Sequence, residues 1–190
     1  MSDLDSEARV DLARRPVVGV MGSGAEPHAV RAGQVGRWLA LQGAHLLTGG
    51  GGGVMAAVSE AFARTTPRRG LCIGVLPART ESDVNPPPGY PNPWVELAIR
   101  THLHRRGAEG EQAQSRNHIH LLSADAVVFL PGGTGTASEA RLALRYGCSA
   151  VAWCETAAER DRWPAGLAVA MTFDELTDRL SALLAGHALD

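Results

Sequence analysis

The chain has 190 residues, 45% of them hydrophobic and 20% charged, which fits one ordinary globular domain with a sizeable core. Its formal net charge of −2 excludes the broad basic field that would draw nucleic acid or an anionic membrane, so any anion must be captured by local groups. No apolar run approaches bilayer length, and the opening "MSDLDSEARVDLARR" lacks the basic start and apolar centre of a secretory signal. The three cysteines, Cys72, Cys148 and Cys154, show no metal-ligand spacing; Cys72 and Cys148 sit in apolar runs and read as buried thiols. A reduced, cytoplasmic setting is expected.

Taken in order, "PVVGVM" (16–21) reads as a strand and "PHAVRAGQVGRWLALQG" as a helix, with Pro27 in its first turn and Gly43 past its end. "AHLLTG" (44–49) is a second strand. Val54, Val58 and Phe62 share one stripe of a second helix. "GLCIGVLP" (70–77) and "WVELAIR" (94–100) are the third and fourth strands. Between them "PARTESDVNPPPGYPNP" (77–93) holds too much proline for regular structure and is expected to form a lid or wall. "SRNHIHLLSA" reads as a helix, "DAVVFLP" (125–131) as a fifth strand and "TASEARLALRYG" as the next helix. "CSAVAWC" (148–154) is a sixth strand. A last helix near 172–185 opens on the capping-box pair Thr172 and Glu175.

Strands alternating with helices predict a single Rossmann-like α/β domain, an open parallel sheet with helices on both faces, over residues 15–190 after a polar tail at 1–14. In such a sheet ligands sit beyond the carboxyl ends of the strands. Three glycine-rich stretches fall there. The first, "GVMGSGAEP", has Gly22 and Gly24 but Pro27 where a dinucleotide fingerprint has its third glycine, and no acidic residue closes the second strand. Gly22 and Ser23 are candidate ligand contacts; a plain turn is an equal alternative. The second is five consecutive glycines, of which Gly50, Gly51, Gly52 and Gly53 are candidates for close backbone approach to a ligand at a helix start.

The third stretch is "PGGTGTASE" (131–139). Gly132, Gly133 and Gly135 free the backbone, Thr134 and Thr136 add hydroxyls, and the following helix offers unpaired N–H groups. Together these are a candidate phosphate cradle. Thr136 and Glu139 also have capping-box spacing, so Glu139 reads equally as a helix cap or a working carboxylate. Arg116 at a helix start opposes the helix dipole unless an anion, a phosphate or Glu139, offsets it. The run "RTHLHRR" (100–106) reads as a solvated basic loop, ahead of a phosphate site or a His102–His104 metal pair. Tyr90 and Trp94 read as packing residues rather than ring stackers.

This stretch resembles the PGGxGTxxE signature of the LONELY GUY (LOG) family, and the likeness extends through the glycine run and Arg116, over roughly residues 16–155. The resemblance implies hydrolysis of the N-glycosidic bond of nucleoside 5′-monophosphates, with Arg116 and Glu139 essential, no cofactor required, and a homodimer or larger assembly. Enzymatic members usually carry Met-His-x-Arg-Lys around the arginine; here "QSRNHI" puts Asn117 in the lysine's place. The Ser-Arg-Asn form and the approach "NPWVELAIRTHLHRRG" look more like the sister branch of molybdenum cofactor carriers, which bind a phosphorylated pterin without a hydrolytic role. Because Arg116 and Glu139 both persist, the hydrolase is the expected function and the carrier the alternative, with a small phosphorylated nucleotide or pterin as the respective partner.

Overall fold

The computed structural model describes residues 14–186; apart from Arg14, the tail expected at 1–14 lies outside them. Arg14 donates to Asp125 at 2.8 Å, and the Val17 N–H donates to the same carboxylate at 2.7 Å. Seven strands form one all-parallel sheet: β1 (Val17–Met21), β2 (His45–Thr48), β3 (Cys72–Leu76), β4 (Leu97–Arg100), β5 (Ala126–Phe129), β6 (Ala150–Trp153) and β7 (Ala168–Ala170). Their order is β4-β3-β2-β1-β5-β6-β7. The helices are α1 (Ala29–Leu41), α2 (Val54–Arg64), α3 (Asn117–Leu122), α4 (Thr134–Tyr146), α5 (Ala157–Arg160) and α6 (Phe173–Gly186). The expected Rossmann-like architecture is therefore the one that forms.

Helices α1, α2 and α6 cover one face, where Leu39, Phe62 and Leu180 pack on Val18, Val20 and Val128. On the other face, α3 and α4 pack Leu121 and Leu142 on Val127 and Phe129. Full burial of each such side chain contributes about 1.5–3 kcal/mol relative to exposure. Helices α1 and α2 lie unusually close at Gly36, where a Cβ would stand 2.5 Å from the Val58 carbonyl and 3.0 Å from Ala61. Gly36→Ala is accordingly expected to push the pair apart and destabilise the fold by about 1–3 kcal/mol, read as a lower Tm.

Two features depart from the sequence expectations. Strand β7 and the one-turn helix α5 were not anticipated, because "LAVA" is alanine-rich and too short to show an alternating pattern. Helix α1 takes His28, in a left-handed conformation, as its N-cap, which leaves Pro27 outside the helix. As expected, the link from β3 to β4 carries no helix, since six prolines in 77–93 remove the N–H groups one would need. As a result β4 is a thinly covered edge strand, with Leu97 46% and Ile99 42% exposed. At α6 the expected cap forms: Thr172 Oγ1 accepts from the Glu175 N–H at 3.2 Å. No helix among the described residues is long and apolar enough to cross a membrane.

Candidate functional site

Strand order reverses between β1 and β5. The chain leaves β1 toward α1 on one face and leaves β5 toward α4 on the other, so the two exits diverge and open a crevice. One backbone bond, from the Ser23 N–H to the Pro131 carbonyl at 3.0 Å, clasps the exits together. The cleft there has a volume of about 310 Å³. Its floor and walls include Gly22, Ser23, Met55, Tyr90, Arg106 and Arg116, with Glu139 and the start of α4 opposite.

Helix α4 begins at Thr134 with Gly133 as N-cap, two residues earlier than its sequence suggests, and no side chain caps it. The capping-box alternative for Thr136 and Glu139 is thereby overturned: both lie inside the helix, where Glu139 is too far along to reach the N-cap. The first helical bond runs from the Ala137 N–H to the Gly133 carbonyl at 3.0 Å. The N–H groups of Thr134, Gly135 and Thr136 thus have no intrahelical acceptor, and these three residues line the cleft. A helix end of this kind is a ready anion site. Ser138 Oγ fastens the turn to its neighbour by donating to the carbonyls of Gly135 (2.7 Å) and Gly107 (3.1 Å).

Glu139 is 9% exposed and Arg116 6% exposed. Their nearest approach, Nη1 to Oε1, is 3.7 Å, an ion pair without a direct hydrogen bond. Burial pushes the Glu139 carboxyl up to about 7, against a smaller opposing pull from the Arg116 charge. The Arg116 Nε–H is buried without an acceptor, while Nη1 contacts His120 Nδ1 at 3.2 Å. Burial first, and the Arg116 charge second, push the His120 ring down to about 3. At neutral pH the site therefore holds a fixed cation, a neutral imidazole and a carboxyl shared between its two protonation states.

Gly22, Ser23, Gly133, Thr134, Gly135, Thr136, Arg116 and Glu139 meet in the cleft. Gly132 lies against a smaller neighbouring cavity with Pro131, Trp163 and Arg162. The residues Gly50, Gly51, Gly52 and Gly53 line neither. The carbonyls of Gly50 and Gly51 accept from Asn92 at 2.7 and 3.0 Å, and a Cβ on Gly51 would stand 2.5 Å from Tyr90. Positive φ at Gly50 (73°) and Gly53 (58°) bends the chain into this path. The first N–H of α2 donates to the Ser23 carbonyl at 2.8 Å, so that group is already taken by protein.

Other lining residues were placed elsewhere by the sequence reading or not singled out. Tyr90 brings the Pro-rich segment into the cleft as a wall, whereas Trp94 packs under Arg64 at 4.7 Å. Arg106, read as part of a solvated loop, lines the cleft beside Gly107. His120 was not singled out, although its place four residues after Arg116 on a helix was the available signal. Among the described residues no group of three or more His, Cys, Asp or Glu side chains could hold a metal, so His102 and His104 gain no third ligand.

Fold and cleft together define a doubly wound α/β protein of Rossmann type whose cleft opens at the switch point. The chain belongs to the SLOG cluster4 family, whose match spans residues 15–163. It stands with the LOG and molybdenum cofactor carrier-like proteins, as the signature implied. It is 28% identical to the molybdenum cofactor binding protein of Rippkaea orientalis, with a TM-score of 0.69 and coverage of 90% of this chain and 98% of that one. It is 27% identical to the Moco carrier protein of Chlamydomonas reinhardtii, with a TM-score of 0.70 and coverage of 91% and 99%. An uncharacterised protein of Archaeoglobus fulgidus is 30% identical over 133 residues, 68% of this chain and 74% of that protein.

Proposed function

We propose that the chain binds a small phosphorylated heterocycle, of the molybdenum cofactor pterin kind, with its phosphate on the amino end of α4. The observation that carries this reading is that uncapped helix end, whose free N–H groups share one cleft with Arg106 and Arg116. The donors suit a phosphate: rigid backbone amides, an exposed guanidinium, and a buried one with an unpartnered Nε–H. Met55 and Tyr90 offer an apolar and aromatic surface to a ring. Likeness to proteins that bind or carry the molybdenum cofactor, over nine-tenths of the chain, favours a pterin over other rings.

A second reading is favoured by Glu139. A buried carboxyl that titrates at about 7 beside an arginine is suited to hydrolysing the N-glycosidic bond of a nucleoside 5′-monophosphate. As a carboxylate it would stabilise an oxocarbenium-like ribosyl centre or take a proton from the attacking water. Arg116 would hold the phosphate or orient that carboxylate. Asn117, buried where enzymatic relatives carry lysine, removes one cation from this scheme.

The two readings part on one preparation of the protein. Isolated from cells and oxidised, it is expected to release a fluorescent pterin, and to yield no free base from a panel of nucleoside 5′-monophosphates. Base and ribose 5-phosphate appearing with the wild type and vanishing in Glu139→Gln would establish the hydrolase instead. Sedimentation of the same sample reads the homodimer or larger assembly proposed from the family likeness. Arg106→Gln is expected to weaken binding of phosphorylated ligands a few-fold, on the order of 1 kcal/mol, and to reduce its salt dependence in calorimetric titrations.

A further inference from the structure

We propose that His120 is a positioning residue, one that holds the Arg116 guanidinium back from Glu139 and so leaves the carboxyl free for the ligand. The arrangement stands on contacts among protein groups; only the use of the freed carboxyl rests on the reading of the cleft as a ligand site.

Arginine is always a donor, so the 3.2 Å contact between its Nη1 and His120 Nδ1 makes that nitrogen the acceptor. The ring's proton then sits on Nε2, which donates to the Leu47 carbonyl at 3.2 Å. Leu47 belongs to β2 and is paired in register with Gly19 and Ile73, a rigid anchor between two strands. His120 is 1% exposed and cannot turn away to solvent. Gly49 completes the holder: a Cβ there would overlap the Arg116 Nη2.

The consequence lies at Glu139. The Nη1 that contacts His120 is also the guanidinium nitrogen nearest Oε1, at 3.7 Å. Remove the imidazole acceptor, and that N–H has the carboxylate within easy reach. A shift of well under one ångström would turn the loose pair into a hydrogen-bonded one. The titratable and charged side chains lining the cleft are Tyr90, Arg106, Arg116, His120 and Glu139, and Arg116 is the cation paired with Glu139. Burial beside Arg116 keeps the ring neutral, so it remains an acceptor across the working pH range.

Two measurements test this. Nitrogen-15 NMR of the wild-type ring is expected to show the Nε2–H tautomer from about pH 5 to 8; an Nδ1–H or charged ring would overturn the proposal. Carbon-13 titration of the Glu139 carboxyl compares the wild type with His120→Leu and His120→Gln. In His120→Leu the midpoint is expected to fall by about 1–3 units as Arg116 closes on the carboxylate. In His120→Gln, whose amide offers one acceptor and a donor, it is expected to stay near the wild-type value. An unchanged midpoint in folded His120→Leu, or a Gln variant titrating like Leu, overturns it. The ring tautomer and the Gln comparison decide the matter even where His120→Leu fails to fold. Titration with inorganic phosphate is kept separate: wild-type protein that ignores this probe counts against the phosphate site on α4 and leaves the NMR outcomes standing.

Discussion

Replacing Arg116 with methionine is expected to weaken binding of a phosphorylated ligand by about 10- to 100-fold, while an unphosphorylated analogue loses little. The range is that of one or two charge-assisted hydrogen bonds, about 1.5–3 kcal/mol. Methionine fills much of the arginine's volume and suits a site that is 6% exposed, so the loss reads the guanidinium and not a cavity. The same substitution removes the pull that holds Glu139 down, and its midpoint is expected to rise above about 7. Calorimetry with the paired ligands and carbon-13 titration of the carboxyl check the two parts. Equal binding of phosphorylated and plain ligands by the wild type would sink the phosphate reading at once.

Glu139→Gln is expected to change the pH dependence of stability. The folded carboxyl titrates at about 7 and the unfolded one at 4.5, so between those values the folded state binds the extra proton. Its stabilising contribution is whole below pH 4.5 and is lost as pH rises through 7. Glutamine mimics the protonated form at every pH. The variant should therefore gain on the wild type from pH 4.5 to 7 and level off above, by a total on the order of 3 kcal/mol. His120 works in the opposite sense: with a folded value of about 3 it costs stability as pH falls below 6.5. In the wild type the two slopes oppose each other between 4.5 and 6.5, and the variant keeps only the histidine's. Denaturant melts of both proteins at pH 4.5, 6 and 8 measure the crossover, and parallel curves would refute the buried, shared proton. On the hydrolase reading the same variant also abolishes turnover.

Much of the scaffold was legible beforehand. The runs that became β1, β2, β3, β5 and β6 are short, β-branched and buried on both faces, and such runs announce a parallel sheet. The cap at Thr172 formed because its partner lies three residues away and needs nothing else from the fold. At α4 the same local rule failed. A capping box can be drawn at Thr136 and Glu139, but Thr134 and Gly135 already lie in the helix, packed against the Gly107 turn, where a Cβ on Gly135 would stand 3.2 Å from the Gly107 Cα. Residues 28 positions apart in sequence decided where that helix begins.

By itself the sequence determined the fold class, the chain order of most elements and the glycine-rich cradle with its nearby Arg116 and Glu139, because each is written in local patterns of periodicity and residue type. Tertiary structure alone decided which cradle stays open. The five-glycine run is closed by Asn92 and Tyr90 from the Pro-rich segment, and the first N–H of α2 by Ser23. The amino end of α4 has no such partner and faces the cleft. Nor could spacing reveal that Arg116 leans on His120 and that Glu139 holds its proton near neutral pH. The first depends on a carbonyl of the distant strand β2 that anchors His120, the second on burial beside Arg116, and no window of neighbouring residues contains either.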